Sequence, residues 1–322
     1  MESLLTDLNR QEWLRAGAFF LSLIFMPPLT VGIIRKTKAR FQNRIGAPIF
    51  QPFYDLAKLL KKDETISNHV SWIFRSAPSI NLSLLFIVAC LAPWTTLHPF
   101  GLPGDLFLLI YLLAFSRFFT VLSALDAGSA FGGFGASREV TLALLVEPAI
   151  MLSLASLGVT AGTSDLTTVF SFENVKLQSQ TGLWFIAGCG LFLSSLVELS
   201  RMPADDPTTH LELTMVHEAM ILENSATNLA LAELTHFVKI VVLLGIASQC
   251  FLHSLPWVWH ASEITRALAS IGGVFFMAAF IAVIESVAVK LRWTKLPEFI
   301  AYSVAMSIFC VSWCCGKVQL RR

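Results

Sequence analysis

Five acids, Asp205, Asp206, Glu212, Glu218 and Glu223, crowd the stretch from Leu199 to Glu223 together with His210 and His217, and Arg201 is the one fixed positive charge among them. Carboxylates that share a low-dielectric space raise one another's pKa, so they can hold and exchange protons near neutral pH. Histidine titrates in the same range. The chemistry on offer is therefore proton relay or electrostatic coupling. The bland alternative is a hydrated acidic connector that docks a basic partner. Zinc is disfavoured, because His217-Glu218 lacks the second histidine of HExxH and His210 lies nearly two helical turns from His217.

More ionisable groups sit inside apolar segments. Glu139 and Glu147 are eight residues apart, which puts them on one broad helix face about 12 Å apart along the axis. Pro148 follows Glu147, an arrangement tolerated where a broken helix lines a polar cavity. Glu233, His236 and Lys239 recur at three-residue steps in a single crossing. None of the three can face lipid cheaply, so they predict an interior polar track. Arg117 interrupts another crossing and is expected to pair with an acid inside the bundle.

The elements that must carry these residues are membrane helices. The 322 residues are 55% hydrophobic and 14% charged, with a mean hydropathy of +0.68. A soluble domain carries about 25% charged residues. Long unbroken apolar runs argue against a barrel, and a net charge of +1 implies no nucleic acid. The fold class is all-α and polytopic, with about eight transmembrane helices plus a cytoplasmic-side amphipathic helix in a single integral membrane domain, 1–322. The predicted spans are Trp13–Ile34, Ile80–Trp94, Leu106–Leu125, Thr141–Thr160, Leu183–Leu199, Asn224–Ser248, Ala267–Lys290 and Phe299–Val311. Pro27-Pro28 should kink the first of them. Residues 1–10 do not resemble a cleaved signal, so this span stays.

Between the spans lie three segments of interest. The basic loop at 35–77 has nine Lys or Arg between Arg35 and Arg75 against three acids, which places it on the cytoplasmic side. Phe50, Phe53, Leu56, Ala57 and Leu60 give it a short interfacial helix over Pro48–Leu60. A Gly-rich turn is expected at 126–139, where Gly132, Gly133 and Gly135 allow a tight turn or close helix approach and no nucleotide motif follows. The acidic cytoplasmic loop runs over 200–223, with a helix starting at Thr208. The six cysteines read as buried, unpaired thiols, with no metal site.

Three stretches carry a family resemblance over nearly the whole chain: RFQNRIGAPIFQPFYDLAKLLKK (Arg40–Lys62), FGASREVTLALLVEPA (Phe134–Ala149) and RMPADDPTTHLELTMVHEAMILE (Arg201–Glu223). They resemble the membrane subunit shared by respiratory complex I, where it is the quinone-site subunit, and by energy-converting group 4 membrane-bound nickel-iron hydrogenases, including formate hydrogenlyase. Ile45-Gly46-Ala47-Pro48 and Met202-Pro203-Ala204-Asp205-Asp206-Pro207 depart from the complex I pattern, and the second and third stretches look more like the hydrogenase branch.

The resemblance implies a non-catalytic anchor and ion-coupling subunit in the inner membrane of a prokaryote. Its partners would be hydrogenase large and small subunits, an iron-sulfur subunit, antiporter-like membrane subunits and lipids. The nickel-iron centre and iron-sulfur clusters would sit on those partners, with no cofactor on this chain and quinone left unassigned. By motif position Asp205, Asp206, Glu212, Glu218 and Glu223 would couple redox events to the membrane, and Glu139 and Glu147 would continue the route. Glu233, Lys239 and His217 join them from the helix reading. Arg40, Arg44, Arg138 and Arg201 would contact the peripheral arm. A quinone-site subunit of a complex I-type enzyme, a stand-alone secondary transporter and a purely structural anchor remain the alternatives.

Overall fold

The structure is a computed structural model that describes residues 2–67, 69–97, 104–173, 180–205 and 215–319, with side chains from 13 to 313 within those ranges. The chain is all-α: 78% is helical, and no strand forms among the described residues. The elements are α1 (Glu2–Phe41), α2 (Gln51–Leu60), α3 (Trp72–Leu91), α4 (Leu106–Asp126), α5 (Ala130–Ala161), α6 (Leu166–Val169), α7 (Thr181–Glu198), α8 (His217–Ile221), α9 (Ala226–His253), α10 (Pro256–Trp259), α11 (Glu263–Val287), a 3-10 turn (Trp293–Lys295) and α12 (Leu296–Gln319). Among the described residues, eight helices are long and apolar enough to cross a membrane. Because successive crossings alternate in direction, one end of the bundle carries α2 and α8 and the other carries α6 and α10.

The central helix is α9, which packs against α1, α2, α3, α7 and α11. Val238, Val241, Val242, Leu244 and Ala247 are all fully buried, so it is apolar nearly all round, as a helix in the middle of a bundle must be. A second packing unit joins α5, α7 and α12. Buried Leu142, Val146, Leu154, Leu191, Leu196 and Ile300 belong to the continuous core.

Helix starts follow local chemistry. Ser71, Asp105, Ser129 and Ser262 each accept a backbone N–H at the first turn of α3, α4, α5 and α11. Asp126 at the end of α4 accepts from the backbone N–H and hydroxyl of Ser71 at 2.8 and 2.9 Å, which fastens the start of α3 to it.

Several boundaries differ from those read in the sequence. The segment 126–139 is not a turn: only the residues before Ala130 leave the helical path, and Gly132, Gly133 and Gly135 lie inside α5. Gly135 is there for close approach, since a Cβ on it would sit 2.9 Å from the Val216 carbonyl oxygen. α3 begins at Trp72 and runs through Pro78, and α1 continues through Pro27-Pro28. In a bundle, neighbouring groups compensate for the N–H that a proline lacks. α11 ends at Val287, so Lys290 lies beyond it. Of the helix expected from Thr208, only His217–Ile221 forms a helix among the described residues; 206–214 lie outside them.

Candidate functional site

The site is built around Arg117, in the middle of α4 and buried. Apart from Tyr111, the hydroxyls of Ser116, Thr120 and Ser123 and the terminal Asp126, α4 is apolar, so no acid of its own helix lies within reach and the guanidinium recruits acids from two other helices. From α5, Glu139 accepts from its Nε at 3.3 Å and Glu147 pairs with Nη1. From α7, Glu198 pairs with Nη2. Lys239 of α9 reaches the same Glu198 oxygen at 2.7 Å. Three carboxylates thus share two cations, a formal charge of −1 inside the membrane-spanning part of the bundle.

Such a cluster persists because removing any partner would strand the others unpaired in a low dielectric. An odd negative charge also makes it the natural place to take up a proton. The members differ in access: the Glu198 side chain is 3% exposed and that of Glu147 is 35%.

A cavity of about 60 Å³ joins this cluster to the α2 end of the bundle. That is room for roughly four water molecules. Arg117, Glu139, His217, Asn224, His236 and Lys239 are among its lining residues. Asn224 Oδ1 is buried there without a hydrogen-bond partner. Pro78 and Asn81 of α3 line it too, and Asn81 donates to Thr120 Oγ1 at 2.9 Å.

On the cavity wall His217 and His236 stack with centroids 4.6 Å apart. Loss of water, and then the positive charges of Lys239 and Arg201, push His217 down to about 4, so it is neutral at pH 7. Glu218, its neighbour on α8, is driven the other way. Burial and then the Glu233 carboxylate raise it to about 7, against the pull of Arg201 and Arg35. It is therefore half-protonated near neutral pH.

Separate ion pairs fasten the surroundings. Glu285 at the end of α11 binds Arg201 and Lys38, each at 3.2 Å. Asp205 accepts the backbone N–H of Val216 at 2.9 Å and pairs with Lys290 at 2.6 Å. Through these contacts Asp205 holds the two described ends of the acidic loop together.

The structure brings Glu139 and Glu147 to one cation, joins Lys239 to them through Glu198, and sets His217 on the cavity wall, with Glu218 and Glu233 near enough to feel each other's charge. Glu223 is exposed beyond α8. Asp206, Glu212 and His210 lie outside the described residues. Arg40 and Arg44 are exposed at the α2 end, whereas Arg201 is buried on Glu285, and Arg138 donates to the Met215 carbonyl at 3.2 Å and lies over the Trp293 ring. Sequence reasoning gave no coupling role to Glu198 or Glu285, and left His236 outside the relay although it placed it on the polar track. For Glu198 the signal was an acid at the end of an apolar run. No group of three or more His, Cys, Asp or Glu poised for a metal occurs among the described residues.

Comparison with known proteins agrees with this architecture. The family model described as NADH dehydrogenase matches residues 15–315. Hydrogenase-4 component C of Escherichia coli (strain K12) is 36% identical over 71% of this chain and 72% of its own. Formate hydrogenlyase subunit 4 of the same organism is 31% identical over 74% and 76%. A subunit of the NADH-quinone oxidoreductase of Geobacillus thermodenitrificans (strain NG80-2) is 25% identical over 93% of both chains. In fold, a chain of the membrane-bound sulfane sulfur reductase, an archaeal respiratory membrane complex, superposes with a TM-score of 0.76 at 17% identity, over 94% of this chain and 99% of that one. With eight apolar crossings and a match over nearly its whole length, this multi-pass membrane chain belongs to the NADH dehydrogenase family, which holds a membrane subunit of complex I together with hydrogenase-4 component C and formate hydrogenlyase subunit 4.

Proposed function

We propose that the chain is the membrane anchor and ion-coupling subunit of an energy-converting nickel-iron hydrogenase complex in a prokaryotic inner membrane. The observation that carries this is the cluster of Glu139, Glu147 and Glu198 on Arg117 and Lys239, from which a cavity runs past His217 of α8, the neighbour of Glu218. A single fold thus offers a proton acceptor at a surface, a polar passage and a buried charge one proton short of neutral. The higher identity to the two hydrogenase relatives supports this branch over the quinone-linked one.

In this reading the α2 end faces the cytoplasm, and hydrogenase large and small subunits with an iron-sulfur subunit dock on it. Exposed Arg40 and Arg44 grip them, beside exposed Phe41, Ile45 and Phe50. Metal centres stay on the partners. Charge moving through the peripheral arm changes the proton affinity of Glu218 and Glu233, the cavity carries the change to Glu198, and Glu147 passes it sideways to antiporter-like membrane subunits.

The test is a pull-down of the tagged chain in mild detergent, with the co-purifying material assayed for nickel, iron and hydrogen evolution from a reduced artificial donor. Nickel-containing, hydrogen-evolving partners are expected. A flavin-containing assembly with quinone reductase activity and no nickel would instead place the chain in the complex I branch.

A further inference from the structure

The charge cluster reaches the side of the bundle at one point, Glu147, and the helix face around that point is unlike the other lateral face. On α5, Leu144, Glu147, Met151, Ala155, Gly158 and Gly162 fall within one stripe at 100° per residue. Leu144 is 76% exposed, and Tyr111 on the neighbouring α4 is 70% exposed. Toward the α6 end the large side chains give way to Ala155, Gly158 and Gly162, which with Phe107 of α4 line a recess of about 330 Å³. Gly162 is the left-handed cap that ends α5 and Gly158 is buried against the Thr163 carbonyl, so the room there is the recess itself. About 16 Å along the axis from Gly158, the Glu147 carboxylate is partly exposed at a depth where lipid would solvate it poorly.

The α11 face shows what a lipid-facing surface of this chain looks like. Ile264, Leu268, Phe276 and Phe280 are exposed there, and the neighbouring groove of about 510 Å³ is lined by apolar side chains apart from Ser248, whose hydroxyl already donates to the Gly245 carbonyl. The exposed carboxylate of α11, Glu263, is its first residue and pairs with Arg15, and among the described residues α11 exposes none deeper in its span.

We propose that the crevice between α4 and α5 seats a transmembrane helix of a neighbouring membrane subunit, and that this helix brings a lysine or arginine to the depth of Glu147. The inference rests on the coupling role proposed above and names the partner chemistry of the same cluster. Charge complementarity selects the occupant: three carboxylates against two cations leave one negative charge, and Glu147, the most exposed of the three, points the deficit at this crevice. The recess beside Phe107 and Ala155 gives the incoming helix room at the α6 end. A lipid tail could fill the recess but would leave Glu147 facing hydrocarbon.

The test uses the assembled complex with a photo-crosslinking benzoylphenylalanine at Leu144, at Val159, or at Leu268 as a control on α11. Leu144 and Val159 should both crosslink to a single helix of one membrane subunit, Leu144 within about a turn of a basic residue on it and Val159 about four turns further along, while Leu268 gives lipid adducts. Lipid adducts alone from Leu144, or a crosslinked helix without a basic residue, in a preparation that still evolves hydrogen would overturn this inference and leave the coupling role standing. Isolation of the chain without partners would overturn the coupling role and this inference with it. As a second measurement, Glu147→Lys should reduce recovery of the assembled complex about tenfold. Changing the crosslinked basic residue to glutamate should restore it, and failure of that exchange to restore anything would count against the charge pairing.

Discussion

In the half of the bundle toward α2, buried polar groups are charged and incompletely balanced: Glu139, Glu147 and Glu198 divide Arg117 and Lys239 among them. In the half toward α6 they are mostly neutral, several of them matched in pairs, although Thr96 Oγ1, Gln180 Oε1 and Gln249 Oε1 have no partner. His253 lies between the rings of Phe172 and Trp184 at 4.2 and 4.6 Å, with its nitrogens 2.8 and 3.0 Å from the carbonyl oxygens of Gln249 and Phe170. Ser153 meets Ser307 at 2.6 Å and Ser194 meets Ser303 at 2.5 Å where α5, α7 and α12 converge on Gly190. Neutral matched groups fix helices in place. An odd charge does something packing does not require, which is to make the state of the cluster depend on a proton.

Breaking the charged half should cost most. Arg117→Met strands three buried acids, and loss of a buried partner costs about 3–5 kcal/mol. Recovery of folded chain should collapse, as read by size-exclusion chromatography of a fluorescent fusion, while Arg117→Lys retains part of it. In the neutral half, His253→Phe keeps the aromatic stack but leaves the one carbonyl oxygen that the imidazole N–H serves without its donor, so the midpoint of thermal unfolding should fall by the equivalent of about 1–3 kcal/mol with ion coupling intact. Ser303→Ala should cost less, about 0.6 kcal/mol for an interhelical hydrogen bond of this kind, again with coupling unchanged. Altered coupling in either neutral variant would erase the distinction between the halves.

Glu218 sharpens the comparison through pH. Its carboxyl is raised from the ordinary 4.5 to about 7, so the folded chain holds a proton there that the unfolded chain has released. Stability from this group therefore falls as pH rises from about 4.5 to about 7 and is flat above. Thermal unfolding followed across that range should lose this segment of pH dependence in Glu218→Gln. At the opposite end, burial raises the Asp165 carboxyl, but hydrogen bonds from Thr168, Thr167 and Gly104 outweigh it and hold the group below its usual range. Asp165 therefore stays ionised through the same window and adds no slope.

The crossings were legible because hydrophobic length is a one-dimensional property: each predicted span overlaps an observed membrane helix. Ends at prolines and glycines were less so. Pro78 and Gly135 are read locally as breaks, yet α3 and α5 run through them because neighbouring helices supply the packing. Within the site, Glu139 and Glu147 could be placed on one face by spacing alone, whereas their partner depends on which helix packs beside α5. Glu198 escaped for the same reason, since nothing local to α7 announces that Arg117 and Lys239 converge on it. Asp205 had the opposite fate. Its type suggested proton exchange, while its fastening contacts with Lys290 and the Val216 N–H depend on elements distant in sequence.

The most direct test of coupling through the cluster is the number of ions moved per hydrogen evolved by the complex in sealed vesicles, with Glu198 intact and with Glu198→Gln. Glutamine preserves shape and removes the charge that Arg117 and Lys239 share. If the cluster couples, hydrogen evolution stays close to that of the unaltered complex while the ion-to-hydrogen ratio falls by at least about tenfold. An unchanged ratio in a fully assembled complex would contradict coupling and reduce the cluster to a structural tie.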